Sequence, residues 1–208
     1  IPDNPDLYEY MTGIRYLNFI ADIFGVDAAL RRERIRRYAD AFELTGDLAQ
    51  PIAAYSHGMK QKLVIIAAWL HEPQLILMDE PFVGLDPKAA HLLKGMMREI
   101  CDRGGAIFFS THVLEVAEKL CDRIAILSGG AIAYLGPVSG LAEAVGGRCT
   151  ITIQTPQGEE SVRSNDLSAT LLALLEGCRE KGVPVLDIRI DHGSLEQNFI
   201  HIAGGNGK

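Results

Sequence analysis

The sequence contains no long apolar run. Its longest mostly apolar stretch, from Leu63 to Leu70, is far shorter than the ~20 residues that a membrane-spanning helix needs. We therefore expect that the chain does not cross a bilayer itself.

Cysteine is scarce. The four cysteines are widely separated, form no C-x-x-C pair and have no histidine cluster at metal-ligand spacing, which argues against a structural zinc site. We expect reduced, buried residues of a cytosolic protein at Cys101, Cys121, Cys149 and Cys178.

Positive charge is in the minority. The 20 lysines and arginines are outnumbered by 27 aspartates and glutamates, so the formal net charge is -7. This balance argues against nonspecific nucleic-acid binding, because phosphate backbones attract a basic surface. We expect the local arginine cluster at 31–37 to be a solvated helix face.

The chain does have enough apolar sequence for a core, since 48% of its 208 residues are hydrophobic. This predicts one domain with a small appendage. The first part of the chain has helical spacing: Thr12 can cap a helix that ends before Gly25. Further helices are predicted at about 27–44 and 59–71, the latter ended by Pro73.

Apolar strands alternate with helices in the next part. Asp86 and Pro87 suit the N-cap and first helical position of one such helix. The order strand, helix, strand predicts a parallel α/β sheet. The strands are predicted at 75–78, 106–109 and 123–127, and a Gly129-Gly130 turn would join the last to a hairpin partner at 131–135.

The pattern changes after Cys149, where polar and apolar residues alternate. Residues 148–203 are predicted to form a separate small α+β module, and residues 204–208 a loose tail. The module would contain a hairpin, a helix from about Leu167 to Lys181, a strand from Val183 to Ile190 and a last helix from Ser194.

Two adjacent carboxylates come directly after the strand at 75–78. Ligands bind α/β sheets at the carboxyl ends of strands, which is where Asp79 and Glu80 fall. Asp79 can hold Mg²⁺ directly or through water, and Glu80 can accept a proton from water attacking a phosphate. An isolated pair of this kind could equally end a strand and cap the next segment.

Three further motifs stand around this pair: residues 55–61 (Tyr-Ser-His-Gly-Met-Lys-Gln), 84–87 (Gly-Leu-Asp-Pro) and 110–112 (Ser-Thr-His). In chain order, the four motifs resemble the signature, Walker B, D-loop and switch histidine of the ABC ATPase family. The resemblance covers about residues 1–147. It implies an α/β fold with part of a P-loop NTPase sheet, a helical subdomain at about 8–70 and a catalytic core at about 71–147.

The resemblance also implies roles for individual residues. Asp79 would bind the metal, while Glu80 and His112 would be catalytic, His112 donating a hydrogen bond to the γ-phosphate of ATP. Ser56, Gly58 and Asp86 would contact ATP across a head-to-tail dimer. Asp3 falls where the family's Q-loop glutamine would lie, although it also makes sense as a plain loop residue.

The signature motif departs from the family's usual Leu-Ser-Gly-Gly-Gln at two positions, with His57 in place of Gly and Met59 in place of Gln. Ser56 and Gly58 are retained, and the helix that begins there would direct its positive N-terminus at phosphate. We therefore favour a functional signature motif.

No G-x-x-x-x-G-K-[ST] loop occurs in these 208 residues, and the only Gly-Lys pair is Gly207-Lys208. Without a cradle for the β- and γ-phosphates, we expect no ATP hydrolysis by the chain as written. Either it is a fragment of a longer product or the native protein has lost the loop. The start at Ile1, inside the Q-loop region, favours a fragment.

The family resemblance implies ATP and Mg²⁺ as cofactors, a second ATP-binding subunit as partner and a peripheral position at the cytoplasmic face of the membrane. A membrane-spanning subunit would dock around Leu7, Tyr8, Tyr10 and Met11. The ending at 194–200, Ser-Leu-Glu-Gln-Asn-Phe-Ile, resembles that of ATPases paired with separate membrane subunits and favours export.

Two alternatives stay open. One is a soluble ABC-type ATPase acting on ribosomes or DNA, although the usual tandem cassettes or coiled-coil insertion are missing. The other is a degenerate, non-hydrolysing regulatory protein, which the missing phosphate loop and the altered signature would allow.

Overall fold

The structure is a computed structural model that describes residues 1–141 and 149–191. The predicted α/β class is confirmed. The chain divides into two compact units, residues 1–112 and 113–208. The predicted boundary near residue 147 stays a prediction.

The first unit begins with helices whose ends obey local sequence signals. The Thr12 hydroxyl accepts a hydrogen bond from the Arg15 backbone N–H at 3.4 Å, and Asp27 caps the second helix in the same way. Gly25, at φ +64°, lies just after the first helix. The helices are α1 (Gly13–Ile23), α2 (Ala28–Ala41), α3 (His57–Trp69) and α4 (Pro87–Asp102).

Two parallel strands end together at one edge of this unit. Strands β1 (Leu75–Asp79) and β2 (Ala106–Ser110) pair in a register that sets Asp79 opposite Ser110. The main chain of Ile1 also pairs with β1, because the Asp79 N–H donates to the Ile1 carbonyl at 2.8 Å and the Ile1 nitrogen donates to the Leu77 carbonyl at 2.7 Å.

Only part of the arginine cluster is solvated, which corrects the expectation for residues 31–37. The side chains of Arg31 and Arg34 are 17% and 19% exposed. Arg34 donates to the Leu70 carbonyl at 2.6 Å and forms an ion pair with Glu72 at 2.6 Å. It therefore joins α2 to the end of α3, where carbonyl groups lack helical partners.

The second unit contains a helix, a hairpin and a small antiparallel sheet. Strand β3 (Arg123–Ser128) pairs antiparallel with β4 (Ala131–Pro137) through the Gly129-Gly130 turn, which confirms the predicted hairpin. The elements are α5 (Leu114–Leu120), β3 (Arg123–Ser128), β4 (Ala131–Pro137), β5 (Cys149–Thr155), β6 (Gly158–Ser164), α6 (Leu167–Glu180) and β7 (Asp187–Asp191), with sheet order β6-β5-β7.

The last strand begins later than predicted, at Asp187 and not at Val183. The Val183 N–H donates to the Cys178 carbonyl at 2.9 Å, which closes the end of α6. Pro184 has no N–H to donate to a neighbouring strand. The predicted helix from Ser194 and the tail at 204–208 lie outside the described residues.

All four cysteines are free thiols, but only Cys149 is buried. The expectation of burial is therefore wrong for the other three, which are half-buried. Within residues 1–141 and 149–191, no helix combines the length and apolar character needed to span a membrane.

Candidate active site at the end of the first strand

The acidic pair lies where β1 ends, as the sequence predicts. Ile76 and Met78 are buried and anchor the strand, while Asp79 is exposed at its last position. Glu80 comes next with φ +43°, a left-handed conformation that side-chain-bearing residues rarely adopt. Such strain is often found at functional sites, where it fixes the direction of a side chain.

Ser110 joins the two acidic residues from the neighbouring strand. Its hydroxyl donates to Oδ1 of Asp79 and accepts a hydrogen bond from the Glu80 N–H at 3.1 Å. The sequence alone did not predict this role for Ser110. The available signal was its position, because parallel strands that end together bring their last residues to one edge.

His112 reaches Glu80 through two hydrogen bonds. The His112 backbone N–H donates to Oε1 of Glu80 at 2.9 Å, and Nδ1 of its ring lies 2.8 Å from the same oxygen. The Glu80 side chain is 22% exposed and that of His112 is 74% exposed. The carboxylate is thus fixed from one side while the ring faces solvent.

This contact determines the proton on the ring. An ionised carboxylate can only accept, so Nδ1 carries a hydrogen when it bonds to Glu80. Nε2 then accepts a hydrogen bond if the ring is neutral and donates one if the ring is an imidazolium. The resemblance implies that His112 donates to a phosphate oxygen, and donation from Nε2 would therefore require the doubly protonated ring.

The signature residues lie at the start of α3. The Ser56 hydroxyl accepts a hydrogen bond from the Met59 N–H at 3.3 Å and caps the helix. Its own hydroxyl hydrogen remains available for a ligand oxygen. Gly58 is required by space, because a Cβ there would lie 2.6 Å from the carbonyl oxygen of Gly84.

Asp86 has two partners within its own chain. It accepts from the Ala89 N–H at 2.8 Å, which caps α4, and forms an ion pair with Lys62 of α3 at 2.6 Å. The hydrogen bond from Lys62 and, after it, that from Ala89 lower the pKa of the Asp86 carboxyl. A contact across a dimer would therefore use an already ionised and oriented carboxylate.

Asp3 is exposed near the same edge of the sheet. Because Ile1 pairs with β1 in a parallel sense, the chain leaves the sheet beside the carboxyl end of that strand. The structure thus links Asp79, Glu80 and His112 directly, and joins Ser56, Gly58 and Asp86 through α3 and residues 81–86. Asp3 enters neither hydrogen-bonded group.

The acidic pair fits Mg²⁺ bound together with a nucleotide. Among the described residues, no group of three or more histidine, cysteine, aspartate or glutamate side chains could hold an ion alone. Mg²⁺ commonly takes one or two carboxylates and fills its remaining positions with water and substrate phosphates. Asp79 offers an exposed carboxylate of this kind.

An aromatic surface lies near the start of the first unit. Tyr8 packs edge-on against Phe19 at a ring distance of 5.7 Å and lies 6.0 Å from the ring of Tyr10, which is 78% exposed. Leu7, which was expected to take part in docking, is buried and is a core residue instead. Its apolar side chain is more stable inside than in water.

Comparisons with known proteins agree with these motifs. The family described as "AAA domain, putative AbiEii toxin, Type IV TA system" matches residues 2–118. An uncharacterized ABC transporter ATP-binding protein of Nostoc sp. (strain PCC 7120) is 31% identical over 218 residues, covering 97% of this chain and 64% of the relative. The ABC-type transporter ATP-binding protein EcsA of Bacillus subtilis is 38% identical over 146 residues, covering 70% of this chain and 59% of EcsA.

A solved structure of the ATP-binding subunit of an ABC transporter is also similar. It matches with a TM-score of 0.68 and 38% identity, over 70% of this chain and 61% of that one. The chain thus spans about three fifths of the length of these relatives.

Proposed function

Because the chain belongs to the family of ABC transporter ATP-binding proteins, we propose that the natural gene product containing it couples ATP binding and hydrolysis to transport by a membrane subunit. The observation that carries this proposal is the hydrogen-bonded group of Asp79, Ser110, Glu80 and His112 at the end of β1. It brings a metal-binding carboxylate, a candidate base and an imidazole to one edge.

In this proposal, Asp79 would hold Mg²⁺, which would supply positive charge for the phosphates of ATP. One oxygen of Glu80 is engaged by His112, so the other orients the attacking water and accepts its proton. His112 donates a hydrogen bond from its ring to a γ-phosphate oxygen. The lysine and backbone cradle for the other phosphates are not among these 208 residues, so this chain alone does not hydrolyse ATP.

The signature residues act in a head-to-tail dimer, with a second copy or a related subunit. Ser56 donates its hydroxyl to the γ-phosphate held by the other subunit, and the start of α3 adds a favourable dipole. Gly58 allows close backbone approach. Asp86 contacts the opposite subunit beside the same nucleotide.

The partner is a membrane-spanning subunit, which places the protein at the cytoplasmic face of the membrane. The exposed rings of Tyr8 and Tyr10, backed by Phe19, offer amphipathic contact area of the kind enriched at protein interfaces. We assign them, with Met11, to the docking surface.

Export is the proposed direction. The linearmycin resistance ATP-binding protein LnrL of Bacillus subtilis is 25% identical over 228 residues, covering 98% of this chain and 73% of LnrL. Resistance to a compound is consistent with its removal from the cell. This likeness supports export without naming a substrate.

The test is Glu80→Gln in the natural gene product, purified with its membrane partner. We expect ATP turnover to fall by about 10²-fold or more, with ATP binding retained, because the amide keeps the shape but cannot take a proton. Glu99→Gln is the control, since Glu99 is exposed on α4 and pairs only loosely with Arg37, at 3.9 Å.

Two outcomes would contradict the proposal. Unchanged turnover in Glu80→Gln would remove Glu80 from its role as base. ATP binding without turnover in the unmodified protein would favour the non-hydrolysing regulator, which the altered signature at His57 and Met59 also suits.

A further inference from the structure

His57, one of the two departures from the family's signature, lies directly against residues 84–87 of the same chain, which resemble the D-loop. It is the first residue of α3, and its imidazole lies beside Gly84 in the segment after Glu80, with both residues exposed to solvent. A Cβ on Gly84 would lie 2.4 Å from Cδ2 and 3.0 Å from Nε2 of His57. The ring therefore occupies the space that any side chain at position 84 would need.

A second close contact joins the main chains of the same two segments. A Cβ on Gly58 would lie 2.6 Å from the Gly84 carbonyl oxygen, so the backbones of the signature and the D-loop also approach closely. Gly84 has φ +77°, which favours glycine for a second, independent reason. Residues 57, 58 and 84 thus form one small packed junction, called here the His57 junction.

A salt bridge joins the same two segments farther along. Lys62, one turn beyond the junction on α3, reaches Asp86 at 2.6 Å, and its side chain is only 15% exposed. The segment is also tied back to the candidate base, because the Val83 N–H donates to the Glu80 carbonyl at 3.1 Å. The start of α3 is therefore joined to residues 84 and 86, and the turn at 80–83 links that contact to Glu80.

We propose that His57 is a positioning residue that makes the signature and the D-loop move as one body. The inference rests on the proposed function, in which Ser56 and Asp86 both face the opposite subunit. A glycine at position 57 would remove the ring beside Gly84, and Gly84 would then have more space in which to change conformation. The imidazole instead transmits a displacement of Ser56 to residues 84–86, and from there to the backbone of Glu80.

The shape of the ring, and not a proton on it, accounts for this role. The ring atom that would lie nearest to a Cβ on Gly84 is the carbon Cδ2. A phenyl ring has the same planar form and lacks ring nitrogens. His57→Phe should therefore retain the coupling, whereas His57→Gly should lose it.

The first experiment is a double-mutant cycle with Gly84→Ala and His57→Gly on the unfolding of the natural gene product. Gly84→Ala adds both a clash with the ring and backbone strain, and removal of His57 relieves only the clash. We expect the two changes to be non-additive by about tenfold in the unfolding equilibrium constant. Gly104→Ala is the matched control, since Gly104 has φ +85° with nothing within 4 Å, and its effect should be independent of residue 57.

The second experiment measures ATP turnover by the natural gene product with its membrane partner. His57→Gly should lower kcat several-fold with KM for ATP changed by less than about twofold, and His57→Phe should keep both near the unmodified values. A His57→Phe protein that behaves like His57→Gly would show that a ring nitrogen acts, which would overturn the proposal. Unchanged kcat in His57→Gly would do the same.

The two experiments separate the possible failures. Additive effects in the unfolding cycle would overturn the junction whatever the activity of the protein. A non-additive cycle in a protein without any ATP turnover would contradict the proposed function and leave the junction as a structural contact only.

Discussion

Nδ1 of His112 lies 2.8 Å from Oε1 of Glu80, the oxygen that also accepts the backbone N–H of the same histidine. One residue therefore restrains the carboxylate through both its main chain and its side chain. Removal of the ring leaves the main-chain bond, so Glu80 keeps part of its orientation. Effects on catalysis and on folding should consequently differ at this position.

His112→Ala tests the effect on catalysis. We expect kcat for ATP in the natural gene product to fall by about 10²-fold, because the imidazole no longer orients Glu80 or faces the γ-phosphate. KM should change little, since the phosphate cradle and Asp79 are unaffected. Steady-state ATPase measurements give both values, with His91→Ala on the exposed part of α4 as control. A full-activity His112→Ala protein would exclude His112 from the reaction.

Ser110→Ala should remove a hydrogen bond from Asp79 and another from Glu80 at once. It removes the donor to Asp79 and the acceptor for the Glu80 N–H, so we expect a loss of about 1–2 kcal/mol in the free energy of unfolding. Urea denaturation of the chain measures this loss. Ser110→Thr retains the hydroxyl and should stay near the original stability. Equal losses in both variants would show that space, and not hydrogen bonding, matters there.

The left-handed backbone at Glu80 lowers the stability of the fold, whereas the Glu80 carboxylate is needed for activity. At φ +43°, glycine is less strained than any other residue, so Glu80→Gly should be about 1 kcal/mol more stable than Glu80→Ala. Both variants lack the carboxylate and should have no turnover. Thermal or urea unfolding of the pair isolates the conformational contribution. Equal stabilities would mean that the segment relaxes when the side chain is removed.

Lys62→Met should raise the pKa of Asp86 toward its ordinary value, because the hydrogen bond from Lys62 is the largest cause of its lowering. A lowered pKa in the folded state stabilises the protein above the unfolded pKa of about 3.9, and this stabilisation is lost as the pH falls through the folded pKa. Lys62→Met should therefore differ most from the unmodified chain at neutral pH.

Carboxyl titration by NMR measures the Asp86 pKa directly. Lys60→Met is the control, because Lys60 lies on the same helix and forms its ion pair with Glu9 instead of Asp86. An Asp86 pKa that does not move in Lys62→Met would assign the lowering to the helix cap alone.

Sequence reasoning succeeded where the cause is local. Thr12 and Asp86 were identified as helix caps because a hydroxyl or carboxylate at that position bonds the next turn. Met78 and Asp79 marked the end of a strand because apolar residues change to charged ones there. Each of these signals depends only on neighbours along the chain.

The contacts that organise the site could not be read in this way. Ser110 lies between Asp79 and Glu80 only because β1 and β2 end in register. The contact of His57 with Gly84 depends on how a helix meets a distant segment. The burial of Leu7 likewise results from tertiary packing, since the same residue type is common on surfaces.

The two contacts of Arg34 limit which substitutions homologues can tolerate at positions 34 and 72. One planar guanidinium holds both the Leu70 carbonyl and Glu72, which the single ammonium of lysine cannot reproduce in the same geometry. Replacement of Arg34 without loss of stability should therefore be rare. Homologues that lack this arginine should also lack the glutamate at position 72. The two positions are expected to be inherited as a pair.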